Sequence, residues 1–426
     1  MIARSIRAVA PLRQSDTDAC PGALRLHAAA DGLLARVRLP AGELTGDQLR
    51  ALRELTTEFG DGFLELTSRA NFQVRGVRTE DAETLAARLR AAGLLPSETH
   101  DAVRNIAAPP LAGPTIRALT ARLDSAILGD PALAALPGKF LFALGHVPLA
   151  ADVAAVPGSL ADGSGPDGSG PEFVIRLGGH DVGLRVAAGR VVAVLIAAAH
   201  AFLAERSAQR GAGAAAWRLR ELRDGPARVA ARVCADLGLS TVAVGPATSV
   251  EPLEPGDLLG VLAQPDSPLV SVGALVPLGR LGPVQLKVLE KAPRLVVTPW
   301  RGILAADLAP AGAPAWADRL NAAGLAVAPD SPWVGVTACA GRPGCAKSLA
   351  DVRADAARTA RFVDGLPVHW VGCDRACGSP AGRHVQVRAT PDGYAVSHQA
   401  TTGPAGHGGA DGVRDLGELV AEARRS

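Results

Sequence analysis

The stretch "GFLELTSRANFQVRGV", residues 62–77, reads as one or two strands, with apolar and polar residues alternating on either side of a polar middle. Before it lie "GLLARVRLP" (32–40), of strand composition, and "TGDQLRALRELTTEFG" (45–60), whose apolar residues recur at helical spacing behind a Thr45 cap. After it comes "TEDAETLAARLRAAGL" (79–94), a second capped amphipathic helix closed by Gly93. The order is strand, helix, strand, helix.

That order returns downstream in "VSVGALVPLGRLGPVQLKVLEKA" (270–292), "RLVVTPWRGILAA" (294–306) and "PAWADRLNAAGLAV" (314–327). Thr67 aligns with Thr298 at an offset of 298 − 67 = 231, and Ala91 with Ala322 at 322 − 91 = 231. One register serves both matches, which predicts a duplication. The expected class is α+β: two halves related by a pseudo-twofold axis, each an open sheet covered by helices.

A chain of 426 residues is long enough for two to four domains. The expected boundaries are 1–95, 96–235, 236–328 and 329–426, with a Gly/Ser-rich surface loop at 157–171. The segment 204–238, with helical spacing on both sides of Gly225-Pro226, is expected to join the halves, and the tail after Tyr394, with "TTGPAGHGGADG" (401–412), to be loose before a last short helix. With 44 basic and 42 acidic residues the formal charge is +2, which gives no electrostatic case for nucleic acid. The N-terminal stretch does not read as a secretory signal, so the cytoplasm is expected. The apolar run "VAAGRVVAVLIAAAHAFLAE" is broken by Arg190 and His200 and reads as a buried strand and helix rather than a membrane anchor.

Four of the six cysteines cluster late, in "TACAGRPGCAK" (337–347) and "VGCDRACGSP" (371–380). The pattern is C-x5-C, then C-x3-C. In a reducing compartment such clustering favours metal or catalysis over structural disulfides. Zinc knuckles use tighter pairs, whereas an iron–sulfur cubane accepts wider, unequal loops. Gly341, Pro343, Gly344, Gly372 and Gly378 keep these loops out of helix and leave room for a bulky body. Spacing leaves zinc, a disulfide or plain buried thiols open. Cys234 reads as a small core residue and Cys20 as part of a turn.

The C-x5-C, C-x3-C-x2-P pattern resembles the cluster signature of the sulfite and nitrite reductase family. That resemblance implies a [4Fe-4S] cluster on Cys339, Cys345, Cys373 and Cys377. "LTSRANFQVRG" (66–76), "VRNIAAPPLAG" (103–113) and "LPGKF" (136–140) are similar to the family's arginine-, Arg-Asn- and lysine-bearing segments. The fold implied is two halves, each a ferredoxin-like half domain followed by a nitrite/sulfite-reductase-type α/β domain, the second carrying the cluster. The nearer likeness within the family is to the branch that converts precorrin-3A to precorrin-3B in aerobic cobalamin biosynthesis. It implies precorrin-3A and dioxygen as substrates, ring hydroxylation with γ-lactone formation, a mononuclear non-haem iron beside the cluster, and electrons from NAD(P)H through a separate donor. The alternative is a sirohaem-dependent sulfite or nitrite reductase. The reductases carry a second lysine where this chain has Leu141.

The resemblance places Arg69, Arg104 and Lys139 in the catalytic pocket, where guanidinium forks and an ammonium suit the carboxylates of a precorrin. Asn71 and Gln73 alternate with Arg69, which predicts one shared strand face for substrate binding, with Arg75 continuing the row. Trp300 and Arg301 are expected mainly to pack. No histidine pair has metal-ligand spacing, and no G-x-G-x-x-G opens a nicotinamide domain. A monomer is expected, with no nucleic-acid or membrane partner.

Overall fold

The computed structural model describes residues 20–158, 172–210, 215–244, 253–380, 382–399, 407–408 and 415–426. Most of the expected Gly/Ser loop and of 401–412 lies outside them, whereas the start of the expected loose tail is ordered: it belongs to the strand Gly393–Gln399, held by pairing with His384–Thr390. Two compact units form: one holds the described residues of 97–244, the other 21–96 and the described residues from 253 onward.

The second unit contains the duplication. One sheet runs in the order His27–Ala29, Gly32–Val37, Phe72–Val77, Leu64–Leu66, Arg280–Leu281. Another runs Gly260–Ala263, Val270–Leu275, Gly302–Leu308, Arg294–Val297, Glu43–Thr45. Both are antiparallel throughout, and each takes its fifth strand from the other repeat: Arg280 pairs with Glu65, and Arg294 with Thr45. One continuous core joins them, with Leu49, Leu52, Phe72 and Val74 from the first repeat and Leu286, Leu295 and Ala305 from the second, all fully buried. Each such leucine, valine or phenylalanine contributes about 1.5–3 kcal/mol of burial.

The repeat extends to backbone detail. Ala41 and Leu278 both take left-handed φ, 54° and 52°, at an offset of 278 − 41 = 237. Further on the offset is 231. The intervening helices absorb the change, since Gly46–Phe59 has 14 residues and Pro283–Leu289 has 7. Thr45 caps the longer one in a capping box with Gln48, as its sequence predicts. The α-helix expected over 79–94 begins only at Ala82, after a short 3-10 turn at Thr79–Asp81, and the Asp81 carboxylate accepts from Arg78 instead of capping it.

The third sheet of this unit has Val336–Ala338, Val368–Val371 and His384–Thr390 parallel, then Gly393–Gln399 and His407–Gly408 antiparallel. The first unit repeats this order with Ile106–Ala107, Phe142–Leu144, Val153–Pro157, Glu172–Leu177 and His180–Ala187. In that unit the apolar run 186–205 is the end of a strand followed by the helix Val191–Ala208, as expected. The stretch Ala188–Ala208 is long and apolar enough to cross a membrane, yet Val191, Val194, Leu195, Ala198 and Phe202 are fully buried in the unit's core. The helix reading of 204–238 fails between Ala215 and Asp224, which form irregular chain and a 3-10 turn at Leu219–Glu221; Gly225-Pro226 starts a helix instead of interrupting one. That helix, Gly225–Leu237, packs on Val191–Ala208 within the first unit, and Glu205 binds both Arg228 and Arg232.

Candidate metal centre

The parallel strands Val336–Ala338 and Val368–Val371 end level with each other, with Ala338 opposite Trp370. Cys339 follows the first directly and donates its N–H to the Trp370 carbonyl at 2.9 Å. The Gly372 N–H points at the Cys339 sulfur, 3.3 Å away. Cys373 is the next residue, so two thiols leave neighbouring strand ends while Cys345 and Cys377 come from the loops that follow. Burial pushes the Cys377 thiol up; Arg375 acts in the opposite sense, and the Cys339, Cys373 and Cys345 thiols add to the upward push. All four therefore share one neighbourhood.

Thiols that oppose one another's ionisation become thiolates together only when a multivalent cation offsets the charge. Among the described residues, no three His, Cys, Asp or Glu side chains are gathered tightly enough to hold a single ion. The C-x5-C and C-x3-C spacing, with ligands offered from wide, unequal loops, suits a cluster with metal atoms at separate corners. The first unit has the same strands without the thiols: with Ala107 set on Ala338 (338 − 107 = 231), Ala108 stands where Cys339 does.

The glycines of the loops serve a purpose other than room for an inorganic body. A Cβ on Gly344 would lie 3.0 Å from Arg75 Nη2 and 3.1 Å from Asp31 Oδ2, and one on Gly378 would lie 3.0 Å from Arg301 Nη2. A Cβ on Gly372 would fall 1.8 Å from the Ser348 hydroxyl. The space is occupied by protein, and two of the three glycines admit an arginine.

Arg75 grips Asp31 through Nε and Nη2 at 2.9 Å each and donates to the Gly344 carbonyl at 2.7 Å. Its pKa is raised: desolvation works against this, and Asp31, Glu65 and Asp61 outweigh it. Glu65 also holds Arg353, just downstream of the first cysteine pair, at 2.6 Å. The residue that the sequence row placed last is thus the one that touches the cysteine loop.

The rest of the row divides. Arg69 lies off the strand, which starts at Phe72, because a tight turn on the Thr67 hydroxyl intervenes; that hydroxyl accepts from the Arg69 and Asn71 N–H groups, and Ala70 turns with φ 55°. The predicted alternation through Arg69 is therefore broken. Asn71 is 4% exposed and its Oδ1 accepts the Leu39 N–H at 2.8 Å, so it braces the fold and does not line an open face. Gln73 accepts from Arg36 at 2.8 Å.

His369, which no sequence spacing marked, is fully buried between Thr337 (2.8 Å) and the Cys377 carbonyl (3.1 Å). Burial first, with Arg301 and His384 adding, brings its pKa down to about 4. A carbonyl only accepts, so the neutral ring carries its proton on Nε2 and takes the Thr337 hydroxyl proton on Nδ1.

In the first unit, Arg104 forks onto Asp124 with two bonds of 2.8 Å, and Lys139 lies 4.7 Å over the Trp217 ring. Leu141 is 3% exposed and its N–H donates to Asp152 at 2.9 Å. Asp152 also pairs with Arg218 at 3.0 Å, and Arg218 donates to the Lys139 carbonyl.

Residues 27–92 match the family model described as the nitrite/sulfite reductase ferredoxin-like half domain. This part of the chain is such a half domain. It contributes Asp31, Glu65 and Arg75, the residues that brace the cysteine loop. The chain carrying it is similar to a ferredoxin–nitrite reductase of Synechococcus elongatus, with 27% identity over 391 residues, 82% of this chain and 74% of that one. It is also similar to a precorrin-3B synthase of a Sinorhizobium species, with 25% identity over 408 residues, 89% of this chain and 82% of that one. The solved structure of the Mycobacterium tuberculosis NirA protein shares its fold, with a TM-score of 0.70 and 21% identity over 92% of this chain and 79% of that one.

Proposed function

We propose that this protein is an oxidoreductase of the precorrin-3B synthase type, acting on precorrin-3A with dioxygen and an external electron donor. The observation that carries the reading is Leu141. Where the resembling reductases place a second lysine, this chain has a core leucine whose backbone is tied to Asp152. Multi-electron reduction of a small bound oxyanion needs several cations and acids around it, and this position supplies neither. Similarity to a precorrin-3B synthase over 89% of the chain supports the same assignment.

In this reading Cys339, Cys345, Cys373 and Cys377 hold a [4Fe-4S] cluster, which when bound supplies single-electron transfer. No ligand set is proposed for a mononuclear iron. Arg69, Arg104 and Lys139 are the candidate partners of the macrocycle's carboxylates. Arg104 would act through donors beyond the two it gives Asp124, since a guanidinium has five. Gln73 is a further candidate, shared with Arg36. Electrons come from NAD(P)H through a separate donor, and a cytoplasmic monomer is expected.

The second reading, a sirohaem-dependent nitrite or sulfite reductase, is favoured by the 27% identity to the Synechococcus enzyme over 82% of the chain. One preparation tests both. Anaerobic protein is loaded with iron and sulfide, given precorrin-3A and a reductant, then exposed to isotopically labelled dioxygen. Label in a hydroxylated, lactonised product supports the first reading. A tightly held chlorin chromophore with consumption of nitrite or sulfite, and no labelled product, replaces it with the second.

A further inference from the structure

Arg301 has a backbone conformation and a destination that ordinary packing does not explain. It turns with φ 60°, the left-handed region, where an L side chain costs about 1–2 kcal/mol. Its turn copies that of the first repeat: the Gly302 N–H donates to the Thr298 hydroxyl at 3.0 Å, as Asn71 does to Thr67 at 3.1 Å. Ala70 is its counterpart, at φ 55° and 301 − 70 = 231. The turn itself therefore needs nothing longer than a methyl group.

The long side chain takes a defined path. A Cβ on Gly279 would lie 2.6 Å from Arg301 Cδ, so that glycine admits the stem, and Gly378, directly after Cys377, admits the guanidinium. The same point beside Gly378 is 3.7 Å from His369 Cε1, so arginine, histidine and the Cys377 turn meet there. No carboxylate forms an ion pair with Arg301 among the described residues. Glu65, the nearby candidate, is bound by Arg353 at 2.6 Å and lies 3.9 Å from Arg75. Burial and the like charge of Arg353 pull the guanidinium's pKa down, while Glu65 and the Cys339 sulfur act in the other sense. A desolvated cation without a carboxylate of its own is costly unless an anionic partner lies within reach.

We propose that Arg301 is the fixed counter-charge of the four-cysteine site, making the group held there easier to reduce. This rests on the cluster assignment above. An added electron at that site increases its negative charge, and a nearby cation in a poorly solvated position favours that state. In the first repeat Ala70 leaves the equivalent position uncharged.

The test is a dithionite potentiometric titration of the full-length protein loaded with iron and sulfide, followed by electron paramagnetic resonance; each site takes up one electron from dithionite. Arg301→Ala restores the residue that the first repeat already tolerates, Arg301→Gln removes charge but keeps polarity, and Arg301→Lys keeps charge. The expected result is a roughly tenfold fall in the reduced-to-oxidised ratio for the Ala and Gln variants, about 59 mV for one electron, with the Lys variant within about threefold of wild type. Wild-type midpoints in both neutral variants would overturn the proposal. If neither neutral variant takes up iron and sulfide, the Lys variant decides: loading with a near-native midpoint supports a role for charge, and failure to load makes Arg301 a packing element. Wild-type protein that binds no iron and sulfide overturns the cysteine assignment, and this proposal with it.

Discussion

Arg75 donates to the carbonyl of Gly344 at 2.7 Å, so a side chain from the first half domain is bound to the residue directly before Cys345, 269 positions away. Arg75→Ala removes this bond together with the fork on Asp31. Asp31 is about one-fifth exposed, so the expected loss is about 2–3 kcal/mol, below that of a fully buried pair. Urea unfolding measures it. Arg75→Lys should recover less than half, because an ammonium cannot reproduce the fork. A loss below 0.5 kcal/mol in Arg75→Ala would show that the loop does not depend on this contact.

Gly372 tests how tightly the loops pack. A Cβ there would meet the Ser348 Oγ at 1.8 Å and Cβ at 2.7 Å, and Ser348 is 1% exposed. Gly372→Ala is expected to lower thermal stability by about 2–3 kcal/mol equivalent and to reduce iron uptake. The double variant with Ser348→Gly should recover part of both. Equal loss with and without the second change would place the defect elsewhere.

Glu205 provides a pH test in the first unit. Hydrogen bonds from Arg228 outweigh burial and, with Arg232 and Gln209, hold its carboxyl at about 2. A depressed carboxylate pKa stabilises the fold fully above the unfolded value near 4.5, and the contribution is lost as pH falls from there towards 2. Glu205→Gln should flatten the stability curve in that window. Both arginines are about half exposed, so the effect should be modest and should shrink in high salt. An unchanged slope in the variant would refute this linkage.

Arg424 ties the last helix down with no carboxylate partner among the described residues. It is 3% exposed and donates to the carbonyls of Leu366 at 2.8 Å and Val334 at 3.0 Å, with longer bonds to Val363 and Arg361. Arg424→Ala leaves those carbonyls unsatisfied at a cost of about 2–4 kcal/mol. Hydrogen exchange should then rise first in Leu416–Arg425. Full protection of that helix in the variant would contradict the assignment.

The duplicated half domain was legible in the sequence because it rests on local signals: alternation in 62–77, the Thr45 cap and the shared offset of Thr67 and Thr298. The exchange of Glu43–Thr45 and Arg280–Leu281 between sheets was not, since a strand of two or three residues has no periodicity and its partner is set by the tertiary fold. The same limit applies to the site. Cysteine spacing marked the four thiols, but the direction of Arg301 depends on a left-handed turn and on two glycines far away in the chain. The alternation that would put Asn71 on one face with Arg69 stops at a turn that strand spacing does not reveal, and the Asp124 partner of Arg104 lies on a helix 20 residues on.

The traded strands also make the two copies depend on each other. A lone copy of the half domain would leave one sheet without its fifth strand and expose an unpaired edge, which invites association with another chain. A single copy could complete that sheet only by borrowing the segment from a second copy, and the tandem arrangement in this chain supplies that second copy covalently. In the present chain the equivalent turn position holds Ala70 in one copy and Arg301 in the other, so the two copies, though paired by shared strands, are not interchangeable at the cysteine site.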